Sequence, residues 1–357
     1  MNATPVMPST EEEIWRYSRI EELDLASFTA GRARTETLNA DAWRSSSSLA
    51  GIVMESPADV FAELNAASAE TVSLVVPRGK VVDDVVEIVH HVDDDGVVAH
   101  TRLVLEVGEN AEVTVIERFV SGDSVRSVIV PVLEVRAAQA ARVNYVAINE
   151  LGHRTWQIGH QQAIGYRDST VRLNTVALGG DYARMRAEAR LAEQGASAQQ
   201  LAVYFAGNTQ MHDFRTLQIH DAPRTHSDLL FKGSVGGTAR SVYTGLIRIA
   251  KNAAHSEAFQ TNRNLTLGDG AWAESVPNLD IQTNEVKCSH ASTVGSIDDE
   301  QRFYLESRGV PPHVAERLIV TGFFNDVFDR LPRGVDAEPL RRAVAAKLLA
   351  ETAGAAS

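Results

Sequence analysis

The chain has 357 residues, 44% of them apolar, and a formal net charge of −13. That length can bury a sizeable core and allows one to three compact units, while the negative balance, with no offsetting Lys/Arg cluster, argues against a nucleic-acid partner. No apolar run reaches the roughly 20 residues a spanning helix needs, and Met1–Arg16 is acidic where a secretory leader would be basic and then apolar, so no membrane association and a cytoplasmic location are expected.

In chain order, Ser9 and Thr10 are placed to cap a helix opening on Glu11, Glu12 and Glu13, with Ile14, Trp15 and Tyr17 as its apolar surface. Ser56-Pro57 followed by Ala58–Ala67 predicts a second short helix. These define an N-terminal helical region over residues 1–70. From Thr71 the chain turns to short β-branched runs separated by Gly, Asp and Asn, among them Val72–Val76, Val81–Val89, Val97–Val107, Ala111–Phe119, Val125–Val135 and Val143–Ile148. Such a series without intervening amphipathic helices predicts an all-β core over residues 71–297, either a large sandwich or a solenoid. Within Thr225–Ile281 the small residues Ser227, Ser241, Ser256 and Ala273 fall 14, 15 and 17 positions apart. Repeats of that length fit the coils of a β-helix, with an antiparallel meander as the alternative.

After Gly295 the pattern becomes helical. Asp298, Asp299 and Glu300 make an acidic first turn, Gly309 a stop, and Pro311-Pro312 open a second helix with an apolar stripe through Val314, Leu318, Ile319, Phe323 and Val327. A last helix spans Pro339–Leu349 and closes a small helical domain over residues 298–357. Phe303, Tyr304, Leu318, Phe323 and Phe324 are more large apolar groups than two short helices need, so part of this surface reads as a partner interface.

Cys288 is the only cysteine, which rules out an intrachain disulfide. In a strand, Cys288 and His290 share a face while Lys287 points away. A thiolate and an imidazole suit iron or zinc, but two ligands do not close a four-coordinate site, so a second subunit would have to complete it. On spacing alone, a lone Cys-x-His reads more readily as a buried thiol beside a surface histidine. His212, His220 and His226, each near an aspartate, read as solvated strand-end residues. No phosphate-cradling loop or hydrolase motif is present, so ATP hydrolysis by this chain is not expected.

Three blocks in order, Gln260–Leu265, Asp280–Val286 running into Lys287–Gly295, and Phe303–Gly309, resemble the C-terminal core of the SufB/SufD family of iron–sulfur cluster assembly proteins. Trp15-Arg16-Tyr17-Ser18 followed by Leu23-Asp24-Leu25 is similar to the start of SufD-type members. The resemblance implies a right-handed parallel β-helix core flanked by the two helical regions. It also implies a non-enzymatic scaffold subunit that pairs with SufB through the β-helix and binds the ATPase SufC through the C-terminal helices. An iron–sulfur cluster would be assembled transiently at the SufB junction, none being permanently bound, with His290 and then Cys288 as the residues of interest. A homodimer is possible in isolation. A SufB-type paralogue is the nearest alternative, disfavoured by the single cysteine. From another class, a β-helix polysaccharide-acting enzyme would need a groove of carboxylates and basic residues that is not legible.

Overall fold

The computed structural model describes residues 6–354, with side chains through Ala350. The reading of Met1–Arg16 therefore lies partly outside the described residues, as do the last three positions of the C-terminal region. Two short strands, β1 (Thr29–Gly31) and β2 (Arg34–Leu38), precede the nine-residue helix α1 (Val60–Ser68). The strands then follow as β3 (Glu70–Val76), β4 (Val86–Val92), β5 (Val97–Val107), β6 (Glu112–Ser121), β7 (Val128–Ala137) and β8 (Arg142–Glu150). Next come β9 (Trp156–Gly165), β10 (Thr170–Ala177), β11 (Tyr182–Leu191), β12 (Ser197–Ala206), β13 (Met211–His220) and β14 (His226–Gly236). β15 (Arg240–Ile249), β16 (Glu257–Leu267), β17 (Trp272–Ile281) and β18 (Lys287–Ser296) end the β core, and α2 (Asp299–Ser307), α3 (Pro312–Phe328) and α4 (Glu338–Gly354) follow.

Odd-numbered strands form one nine-stranded sheet and even-numbered strands a second. Every pairing is parallel except β2 with β4. Successive strands thus alternate between two stacked sheets, the arrangement of a parallel β-solenoid, and the sandwich and meander alternatives are set aside. Equivalent positions on successive coils lie 26 to 32 residues apart. The spacing of about 15 seen at Ser227, Ser241 and Ser256 is therefore half a coil, one strand and its turn, because each coil contributes a strand to both sheets. The turns repeat as well. Asn110, Ala140, Asp168, Gly195, Arg224 and His255 all sit at positive φ where the chain passes from the odd to the even sheet. There the backbone N–H of Asn110, Ala140, Asp168, Arg224 and His255 donates to a carbonyl of the next coil, so the turns stack as the strands do.

Inward side chains alternate with outward ones along each strand. In the first coils the interior is aliphatic, with Val86, Ile88, Leu103, Leu105, Val113, Val115, Leu133 and Val135 in one cluster. Farther along it becomes aromatic and polar, around Tyr204, Phe214, Phe231 and Tyr243. Both outer faces are also covered. Trp15, Ile20, Leu23 and Phe61 pack on Val128, Val130, Ile158 and Tyr182 of the odd sheet. Val320, Phe324, Val327, Leu340, Val344 and Leu348 pack on Val146, Ile148, Val176, Val203, Phe205 and Leu230 of the even sheet.

Two N-terminal expectations are corrected. Ser9 and Thr10 cap no α-helix; Glu13–Trp15 and Ile20–Glu22 are single 3₁₀ turns without side-chain caps. Short turns lower Trp15 and Ile20 onto the sheet, and Arg184 stacks 4.1 Å from the Trp15 ring, contacts a continuous helix in that place would not deliver together. Apart from α1, capped by the Asp59 carboxylate on the Ala62 N–H (3.0 Å), the described part of residues 1–70 holds 3₁₀ turns and short strands rather than α-helices.

Candidate functional site

The last coil differs from all the others. β17 and β18 are the terminal strands of their sheets, each bonded on one side only. Nearly every residue of β18 is exposed, whereas the matching strand β14 is buried along almost its whole length. Side chains that would face the interior of a middle coil face an open end here, and Leu279, Ile281 and Val294 are exposed there.

Cys288 pairs in register with Ala258, and His290 with Gln260. Ala258 and Gln260 are buried in the interior, so both predicted ligands stand on the inward face of the end coil. Cys288 packs against Ile247, Ile249, Ala253 and Ala258, and Val286 joins the same cluster. Burial pushes the Cys288 thiol above its ordinary range, which keeps it protonated and weakly nucleophilic until a metal or a cation draws the proton off. His290 is exposed and makes no hydrogen bond or ion pair with the described residues. Lys287 points the other way and donates to Glu257 Oε1 at 2.7 Å on the outer face. Among the described residues no three His, Cys, Asp or Glu side chains gather as a metal site. The chemistry on offer is a pair of adjacent donors on an open edge, which suits a site finished by a second chain.

The five residues read as a partner surface divide. Phe303 and Tyr304 on α2 are 71% and 58% exposed, and Leu318 on α3 is 50% exposed. Phe324 is fully buried against the even sheet and is withdrawn from that surface, because α3 needs an apolar residue there to dock. Phe323 is half-buried: Lys232, from β14, donates to its carbonyl at 3.0 Å and lies 4.8 Å from its ring centroid. The same ammonium is 3.0 Å from Asp326 and pins α3 to the solenoid.

The histidine reading is corrected too. His212 and His220 are fully buried, inward-facing residues of β13, not solvated ones. His220 sits between the Thr225 and Ser227 hydroxyls at 2.7 and 2.8 Å, and His212 Nε2 lies 3.2 Å from the Gly179 carbonyl. Burial lowers them to about 3 for His212, with Lys347 adding to the effect, and about 4 for His220, with His226 adding to it. His226 is exposed. Asp213, beside His212 in sequence, faces outward and accepts from Tyr182 at 2.7 Å and from Arg184.

Sequence reasoning passed over the floor of the open end. Gln260, Asn262 and Asn264 alternate along β16 and are all buried, three amides on an inward face. Polar residues at strict i, i+2 spacing two strands ahead of the Cys-x-His strand were the available signal.

A family model described as SUF system FeS cluster assembly, SufBD core domain, matches residues 89–323. Over 283 residues the chain is 36% identical to an iron–sulfur cluster assembly SufBD family protein of Mycobacterium tuberculosis, covering 77% of this chain and 69% of that protein. It is 30% identical over 282 residues to the iron–sulfur cluster assembly protein SufD of Escherichia coli, covering 77% and 66%. To SufD of Bacillus subtilis it is 28% identical over 263 residues, covering 72% and 60%. With a parallel solenoid, an open terminal coil and these matches, the chain belongs to the SufBD family of iron–sulfur cluster assembly proteins and is SufD-like.

Proposed function

We propose that this chain is a non-enzymatic, cytoplasmic scaffold subunit that pairs with a SufB-type paralogue through its last coil and binds the ATPase SufC through α2 and the exposed side of α3. The cluster is cargo, built at the junction, with His290 as a ligand from this side and Cys288 as an auxiliary donor. ATP is hydrolysed by SufC and not by this chain. The observation that carries the reading is the end coil: an unpaired parallel edge, exposed apolar side chains and two metal donors on one face. Pairing β18 with a like strand satisfies the free backbone groups and brings a partner's cysteine opposite His290. With SufB absent, the same edge supports a homodimer.

The test is co-expression with both partner subunits, isolation of the complex, and iron and sulfide analysis. His290→Ala is expected to leave the complex assembled and nearly free of cluster, with Cys288→Ala milder. Full cluster content in the His290→Ala complex sinks the assignment.

A further inference from the structure

Beneath the open end lies an amide with nothing to bond. Gln260 is 2% exposed, and neither its Oε1 nor its Nε2 has a hydrogen-bond partner among the described residues. The two asparagines that follow it on the same face of β16 are satisfied. Asn262 donates to the Tyr204 hydroxyl at 2.9 Å, Asn264 donates to Asn262 Oδ1 at 2.9 Å, and the Tyr204 hydroxyl donates to Asn264 Oδ1 at 2.7 Å. Leaving one carboxamide out of such a network is unfavourable, because both of its polar groups have given up water without gaining a partner.

The position of that amide is built. A Cβ on Gly245 would come within 2.4 Å of both Gln260 Nε2 and the Tyr243 hydroxyl, so the glycine is what lets the amide reach across between the sheets. One coil farther on, Gly245 is followed in register by Pro277, and Gln260 by His290. Ser275 Oγ, on the facing strand, is buried and also unpartnered. Same-face side chains on adjacent strands are separated by about 4.8 Å at the backbone, within hydrogen-bond reach for a glutamine and a histidine.

We infer that Gln260 is the positioning residue of His290. Its Oε1 accepts the N–H of the ring nitrogen turned into the coil, which leaves the other ring nitrogen bare and aimed out of the open end. A histidine that ligates metal commonly donates its second ring N–H to an acceptor that fixes both tautomer and orientation. Here the acceptor is an amide supplied by the preceding coil. This inference rests on the reading of His290 as a ligand, and the experiment separates the two.

The full-length chain is prepared with ¹⁵N-labelled histidine, and long-range ¹H–¹⁵N correlations are recorded in alkaline buffer, where the imidazole is neutral. The His290 signals are identified by their loss in His290→Ala. A single dominant tautomer is expected in the unaltered chain and in Gln260→Glu, whose carboxylate still accepts. A mixture of both tautomers is expected in Gln260→Leu and in Gln260→Asn, which falls one methylene short. Cluster content of the Gln260→Leu complex should drop several-fold, short of the loss in His290→Ala. A mixture in the unaltered chain, or one tautomer in all four proteins, overturns the inference. If the tautomer follows residue 260 while His290→Ala keeps its cluster, the positioning inference stands and the functional reading falls.

Discussion

Lowering the pH from about 7.5 to about 5 should loosen the middle of the solenoid, because His212 and His220 are held neutral inside it. Free histidine titrates near 6.5, and in the folded chain the two are depressed to about 3 and about 4. The unfolded state therefore binds two more protons across this window. Stability is fully present above the unfolded value and is lost as pH falls through it toward the folded values. For each residue the linkage integral between these two pH values is about 2 kcal/mol, or about 4 kcal/mol for the pair. Other lowered groups lose stability in the same direction as pH falls, and His100 on β5, also lowered by burial, does so within this window but four strands away from β13 in the odd sheet. Glu188 and Asp326 are lowered from carboxylate values, so their contribution is lost only below the window.

Hydrogen exchange of the Met211–His220 amides, corrected for intrinsic rates, is the assay, since a solenoid can open locally. Protection should fall about a thousandfold between the two pH values. His212→Gln with His220→Gln, which cannot titrate, should hold a nearly constant protection over the same range, whatever its absolute value. A flat profile in the unaltered chain refutes the assignment of these histidines as buried and neutral. A profile unchanged by the double substitution assigns the acid sensitivity to other groups.

Phe324→Ala should cost about 3–5 kcal/mol of stability by opening a cavity between α3 and the even sheet, read as a lower urea midpoint. Phe303→Ser with Leu318→Ser should abolish capture of the ATPase subunit in a pull-down and shift unfolding by less than about 1 kcal/mol, because both side chains are largely exposed; retained capture moves the interface elsewhere. Ala140→Gly should stabilise by about 1 kcal/mol by removing a Cβ from a left-handed turn, and an unchanged melting temperature counts against strain there. Cys288 should form a disulfide with a cysteine placed on the matching strand of the paralogous partner under mild oxidation, and bridging only to distant positions refutes the edge-to-edge junction.

The strands were legible because β-branched runs bounded by Gly, Asp and Asn carry their own signal: Val97–Val107 was read with the bounds β5 has. The coil was not, since nothing in Ser227, Ser241 and Ser256 says that successive strands enter different sheets; that follows only from the register. The N-terminal turns were misread because Glu11, Glu12 and Glu13 favour a helix locally, while packing of Trp15 and Ile20 on the odd sheet decides. Phe324 and Leu318 look alike in an apolar stripe, and only the docked sheet separates a buried from an exposed member. Cys288 and His290 were legible as a same-face pair. Their setting over Gln260 was not, because register brings together residues thirty positions apart.

The covering of the faces explains where the exposed edge lies. The N-terminal segment crosses the odd sheet over β7, β9, β11, β13 and β15, and α3 and α4 cross the even sheet over β6, β8, β10, β12 and β14. Lys232 and Lys347 fasten these helices, the latter through Gln210 Oε1 at 2.6 Å and the Leu178 carbonyl. Removing the chain from Asp298 onward would uncover Val146, Ile148, Val176, Val203, Phe205 and Leu230 together, so the helices are part of what holds the solenoid in solution. Neither cover reaches the outer faces of β17 and β18. An exposed flat strand is ordinarily a liability that a protein blunts with charge, proline or a cap. Here β18 reads Lys-Cys-Ser-His-Ala-Ser-Thr-Val-Gly-Ser, with one charge, at its start, and no proline. A strand left open in that way, with a thiol and an imidazole on its inward face, is the edge that the proposed pairing with another chain would finish.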